Sequence, residues 1–220
     1  SGAIIRPLLR PEGLGQPNAE AVAVSLRPRE RPASVVAAAE ERRLARLRGQ
    51  VCSDPDIQGT TLGLVPGPGA CGIDQAVRVR SVAGVNLRPN ATIDCRTASA
   101  LKTWVERGVL PTVGAQGGGA TSLRVIGHYA CRTRNTQPGA RLSEHAFGRA
   151  IDIAGIGLRD GSEMTLLTDW NARSDGAKLK QMWRAACGPF GTVLGPDANR
   201  FHRDHFHFDT ARYRSGSFCR

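Results

Sequence analysis

Residues Ala150-Ile151-Asp152-Ile153-Ala154 form an apolar run with one carboxylate at its centre. Such a run reads as a short buried strand. An isolated ionised aspartate in those surroundings is unfavourable by several kcal/mol unless it is paired or bound to a cation. The preceding residues restrict how a partner can arrive. On one continuous α-helix, His145 and Asp152 would share a face but lie about 10 Å apart in rise, too far to share one ion. Gly148 instead permits a tight turn after His145, so the histidine is brought back beside the strand.

A second segment carries the complementary pattern. In Asp204-His205-Phe206-His207-Phe208-Asp209 the period is two, so His205, His207 and Asp209 face one side of a strand and the two phenylalanines the other. One face is apolar and one can coordinate. All five histidines (128, 145, 202, 205 and 207) fall in or beside these two stretches. Two imidazoles and one carboxylate suit Zn²⁺, and three protein ligands leave a fourth position open, as in catalytic sites. Spacing alone does not choose between His205 and His207. If both joined His145 and Asp152, the sphere would be closed and the site structural. His128 and His202 read as residues supporting the ligands or as ordinary polar positions, and Ser143 as a loop cap or a substrate contact.

The six cysteines (52, 71, 95, 131, 187 and 219) are even in number and include no C-x-x-C pair. Three disulfides are the economical reading, with Cys187–Cys219 the preferred pair, and they imply an oxidising compartment. No apolar run reaches the roughly 20 residues of a membrane-spanning helix. Ser1 in place of methionine suggests a trimmed chain. The net charge of +11 is mostly arginine, with lysine only at 102, 178 and 180. Anionic partners follow. Aromatics at 5% leave poor stacking platforms for nucleic acid. Peptidoglycan and anionic envelope surfaces, the latter held by weak electrostatic association, are the better match.

Along the chain, residues 1 to about 32 are rich in Pro, Arg and Glu and read as a disordered basic tether. Residues 33–47 are strong helix formers. The folded domain is expected over 51–220, leaving 1–50 as tether and helix. Residues 76–82 alternate as a strand. Residues 96–107 place Ala98, Leu101, Trp104 and Val105 on one helical face, with Gly108 as the stop. A glycine-rich loop leads to "SLRVIGHYAC", and a hairpin turn at Asp160-Gly161 joins "IGL" to "MTLL". A last helix presents Leu179, Met182, Trp183 and Ala186 and stops at Gly188. The three consecutive glycines at 117–119 are not a phosphate cradle, because no strand-to-helix G-x-G-x-x-G follows. The expected class is α+β, a small antiparallel sheet carrying the site and flanked by helices.

The pattern S-x-H-x-x-G-x-A-x-D at 143–152, followed by the distal H-x-H, resembles the signature of lysostaphin, D-alanyl-D-alanine peptidase and Hedgehog-type zinc proteins. More closely, "HYACR", "ARLSEHAFGRAIDIAG", "ACGPFGTVLGPDANRFHRDHFHFD" and the terminal cysteine resemble the bacterial extensin-like C-terminal domain family over roughly residues 51 to 220. That family is similar to penicillin-insensitive murein endopeptidases. The resemblance implies a periplasmic or secreted zinc peptidase acting on peptidoglycan peptide stems, an endopeptidase or carboxypeptidase on bonds of D-amino acids. It implies His145, Asp152 and His207 as zinc ligands, and His205 as base or hydrogen-bond partner. Arg132 in "HYACR" corresponds to an arginine that holds a substrate carbonyl or carboxylate. Related dipeptidases carry Glu three residues before the last histidine ligand. Asp204 stands there in this chain, which makes it a rival base to His205. The alternative from another class is a non-catalytic wall-binding protein stabilised by zinc, since the Hedgehog branch keeps the metal without clear peptidase activity.

Overall fold

The computed structural model describes residues 31–220. The tether expected at the N-terminus lies outside the described residues except for its last two. The chain divides into two units, one ending at Glu40 and one running over Glu41–Arg220. Helix α1, Ala33–Arg48, has no buried residue. Everything described below belongs to the second unit.

The strands are β1 Gln50–Val51, β2 Asp54–Pro66, β3 Gly72–Val82, β4 Val85–Asp94, β5 Ala120–Gly127, β6 Ala150–Leu158, β7 Glu163–Thr165, β8 Thr192–Leu194, β9 Phe206–Asp209 and β10 Phe218–Cys219. The helices are α2 Cys95–Trp104, α3 Leu110–Val113, α4 Leu166–Asp169 and α5 Gly176–Ala186. The strands form one sheet in the order β1-β2-β3-β4-β5-β6-β9-β8-β10, with β7 also paired to β6. The α+β class is as expected, but the sheet is large rather than small. It is also mixed, since β4–β5 and β8–β10 run parallel. Parallel neighbours require a crossover, and α2 with α3 supplies the one between β4 and β5.

β6 lies between β5 and β9, buried at nearly every position, which is why its sequence is continuous rather than alternating. Its neighbour β9 alternates. Phe206 and Phe208 are fully buried and stack at 5.4 Å between centroids. They meet Trp104 of α2 edge-on at 6.4 and 5.0 Å. Trp104 in turn donates its indole N–H to the Met182 carbonyl of α5 at 2.8 Å, so the one polar atom of this aromatic cluster is satisfied. Burial of each phenylalanine stabilises by about 1.5–3 kcal/mol, so the back of β9 is pinned to the core while its front is free for chemistry.

Two local expectations differ from the structure. Gly108 does not end the helix of residues 96–107. A π-helical stretch over Val105–Val109 carries the chain on into α3, and the turn ends at Gly114 with φ 55°. Gly108 serves close packing instead, because a Cβ there would lie 2.9 Å from the Cβ of Ala185 on α5. Pro111 lacks an N–H and disfavours a regular ladder, and widened helical turns occur at such interruptions. The Asp160-Gly161 hairpin forms, but Leu166 and Leu167 begin α4 rather than extend β7, because Thr165 caps that helix through its hydroxyl.

All six cysteines are paired, as Cys52–Cys95, Cys71–Cys131 and Cys187–Cys219. The preferred pair is present. Disulfides persist in oxidising compartments, which fits an extracellular or periplasmic protein. Among the described residues no helix is long and apolar enough to cross a membrane.

Candidate metal centre

Two neighbouring strands and one turn bring the site together. Asp152 on β6 is paired with His207 on β9 in antiparallel register, so their side chains emerge side by side. On its other flank Asp152 is registered with Gly127 of β5. A Cβ at Gly127 would sit 2.8 Å from the Asp152 Cγ. The absence of a side chain there makes room for the carboxylate. His145 arrives from the 3₁₀ turn Glu144–Phe147, capped by the Ser143 hydroxyl, which accepts the His145 N–H at 3.4 Å. The turn closes at Gly148 with φ 66°, the left-handed conformation that glycine adopts without strain.

The three side chains converge. His145 Nε2 lies 3.1 Å from Asp152 Oδ2 and 3.3 Å from His207 Nδ1, and His207 Nδ1 lies 2.9 Å from Asp152 Oδ1. The outer ring nitrogens fix the tautomers. His145 Nδ1 is 2.8 Å from the His128 carbonyl, which can only accept, so that nitrogen carries the proton and Nε2 presents a lone pair. His207 Nε2 donates to Asp209 Oδ2 at 3.2 Å, and Nδ1 is turned inward. Two ring lone pairs and a carboxylate aimed at one point repel one another unless a proton or a cation sits among them. The set therefore fits a metal ion, with a carbonyl and a carboxylate orienting the ligands from behind.

Electrostatics agree with this geometry. Burial pushes the His207 imidazole down, but hydrogen bonds and charge from Asp152 and Asp209 outweigh it and raise the pKa to about 9. Burial pushes Asp152 up, yet the imidazoles of His145 and His207 hold its carboxyl well below the usual carboxylate range. His202 is lowered to about 4, first by burial and then by the charges of His207 and His205, so it is neutral in this cluster.

His205 precedes β9 and lies in a bend, yet its ring reaches the site. Its Nε2 is 3.8 Å from Asp152 Oδ1, and its Nδ1 is 2.8 Å from Asp204 Oδ1. A carboxylate accepts, so His205 holds its proton on Nδ1 and turns the Nε2 lone pair toward the site. Asp204 is largely exposed and, among the described residues, touches the cluster through His205. The Arg132 guanidinium is 3.8 Å from Asp152 Oδ2. It stands at the base of a loop that folds back on itself through a Thr133–Leu142 bridge and is anchored by the Cys71–Cys131 disulfide. His205 and Arg132 line a groove of about 440 Å³, open to solvent, with Asp152 and His207, and the groove also takes in Asn199, Phe201 and Tyr213.

Two groups carry more weight than the sequence suggests. Asp209 is on the coordinating face of β9, and alternation alone marks it as the partner of His207. His202 packs its ring 5.2 Å from His205 and 5.6 Å from His207, with its Nδ1 fixed by Asn199 at 2.8 Å. No local pattern announces this, because the 195–205 loop brings it in. His128 contributes its carbonyl, whereas its own Nδ1 is buried without a partner.

No curated protein and no solved structure matches the chain. A family model described as "Extensin-like protein C-terminus" matches residues 60–220, the span that holds most of the large sheet, both cysteines of two of the three disulfides and every residue of the candidate metal centre, and the chain therefore belongs to that family.

Proposed function

We propose that this chain is a zinc-dependent peptidoglycan peptidase of the bacterial periplasm or cell surface, cutting D-amino-acid-containing peptide cross-links. The observation that carries the reading is the convergence of His145 Nε2, an Asp152 oxygen and His207 Nδ1, with Asp152 and His207 on the wall of a groove that also holds His205 and Arg132. Two imidazoles and one carboxylate are the donor set of catalytic zinc sites that keep a position open. The chemistry zinc supplies in such a site is polarisation of a carbonyl and activation of water.

The chain's own residues have separate tasks. His205, held through Nδ1 by Asp204, accepts a proton at Nε2 and returns it to the leaving amine. Asp204 orients this base rather than acting as one, because its carboxylate faces Nδ1 and solvent. Arg132 offers a planar fork to the negative charge that develops on the scissile carbonyl, or to a substrate carboxylate. The groove accommodates an extended peptide, and the disulfides suit the compartment where peptidoglycan lies.

The test pairs elemental analysis for zinc with mass spectrometry of muropeptides released from purified peptidoglycan. The expected result is about one zinc per chain and loss of cross-linked species, abolished by His205→Ala. A wild-type protein that holds zinc but cuts neither a cross-link nor a terminal D-amino acid refutes the peptidase reading and makes the chain a zinc-stabilised wall-binding protein.

A further inference from the structure

Beside the metal groove lies a second cavity of about 550 Å³ whose charge is strongly one-sided. Arg96, Arg134, Arg141, Arg149 and Arg212 line it, against Glu144 as the one acidic residue. These arginines are exposed, and none has an ion-pair partner among the described residues. The Arg149 guanidinium is set over the Phe147 ring at 5.2 Å, which holds it at the cavity wall. Like charges gathered this closely repel at physiological salt, and a bound anion relieves that repulsion. Guanidinium forks favour planar carboxylates with two parallel hydrogen bonds.

The cavity does not stand apart from the groove. Arg134, Glu144 and Tyr213 line both. An extended ligand seated across the metal centre therefore continues into the arginine cavity. We propose that this cavity is a carboxylate-recognition subsite for an acidic peptide, gripping the free side-chain and α-carboxylates of the peptide stem whose bond lies over the metal. The inference deepens the peptidase reading and rests on it for the identity of the ligand. It also distinguishes the cavity from Arg132, which stands 3.8 Å from Asp152 at the candidate metal centre.

The test measures binding rather than turnover. The full-length protein is titrated calorimetrically with a purified disaccharide tetrapeptide and with the same molecule after its free carboxylates are amidated. Wild type is expected to prefer the carboxylate form by about tenfold or more, the scale of two charge-assisted contacts at a partly exposed site. The Arg141→Gln/Arg212→Gln variant should lose most of that preference while keeping wild-type zinc content and thermal midpoint. An Arg96→Gln/Arg149→Gln variant should do the same. Lysine at these positions should restore only part of it, because the charge returns without the fork. Full preference in both glutamine variants, no preference in wild type, or displacement of the peptide by inorganic phosphate but not by acetate overturns the proposal. Carboxylate-dependent binding without cleavage would refute the peptidase reading and leave the subsite standing. Cleavage of cross-links with a preference indifferent to these arginines would do the reverse.

Discussion

Gly127→Ala tests the geometry of the candidate centre without touching a ligand. The added methyl would lie 2.8 Å from the Asp152 Cγ and 3.0 Å from its Cβ, with Oδ2 closer still. Carbon atoms in favourable contact stand about 3.5–4.0 Å apart, so the overlap is about 1 Å. β5 and β6 are hydrogen-bonded at this register and cannot both retreat. The carboxylate must rotate away from His145 and His207, which leaves two imidazoles to hold the ion. Overpacking of this kind destabilises by about 1–3 kcal/mol, or roughly 2–12 °C in Tm for a domain of this size. Removing a carboxylate donor should weaken metal binding by more than the 10–100-fold that follows loss of an orienting contact. Competition with a chromogenic chelator gives the zinc affinity, and calorimetry the stability. Gly157→Ala, on the same pair of strands, is the control. Its methyl would meet chiefly the rotatable hydroxyl of Ser122, whose Cβ is 3.7 Å away, and zinc affinity should not change. Wild-type zinc affinity in Gly127→Ala would refute the placement of Asp152 in the centre.

Other expectations follow from the same contacts. His145→Ala, Asp152→Ala and His207→Ala should each lose zinc and activity, whereas His205→Ala should keep zinc and lose turnover; zinc lost equally from all four would mean a closed sphere. Asp209→Asn removes the carboxylate that orients His207 and should weaken zinc binding about 10–100-fold, measured by the same chelator competition, with an unchanged affinity excluding that role. In the metal-free protein, the His207 pKa is raised to about 9, so its contribution to stability is fully present below about pH 6.5 and is lost as pH rises through about 9. Zinc displaces that proton, so its affinity should rise about tenfold per pH unit across this window, and a flat profile in thermal-shift titrations would exclude His207 as the proton-bearing ligand. Replacing Cys71 and Cys131 by Ser opens a loop closed over 60 residues, which removes roughly 4 kcal/mol in the chain-entropy account. At a temperature where the variant stays folded, turnover should fall because Arg132 loses its anchor, while zinc content holds; unchanged turnover would separate Arg132 from the reaction.

The parts of the fold legible in the sequence are those in which one residue type repeats at the period of its own element. β9 announces itself because its phenylalanines and polar residues alternate, and β6 because its apolar run is unbroken. β2 does not. Its thirteen residues include glycine at 59 and 63 and threonine at 60 and 61, and most are only half-buried, so neither face of the strand has an apolar signature. Without β2, the sheet reads as small. Gly108 misleads for a related reason. Glycine is favoured both at helix ends and where helices approach closely, and only the position of Ala185, far along the chain, separates the two.

The centre divides in the same way. Asp152 and His145 can be brought together because a buried carboxylate demands a partner, whereas the strand period puts forward His205 and His207 alike and only the family resemblance implies His207 as the ligand. The order of His205 and Asp204 around the site cannot be read, because both precede β9, where the period no longer fixes direction. What decides between them is the 2.8 Å contact from His205 Nδ1 to Asp204, which leaves Nε2 as the atom turned toward Asp152. The arginine cavity is the extreme case. Its five guanidiniums come from positions between 96 and 212 with no local motif, so their convergence is a property of the packed chain alone. That asymmetry has a physical basis. A metal requires donors a few ångströms apart, which only short segments on paired strands can guarantee, whereas recognition of a carboxylate-bearing peptide tolerates contributions from any segment that reaches the same surface.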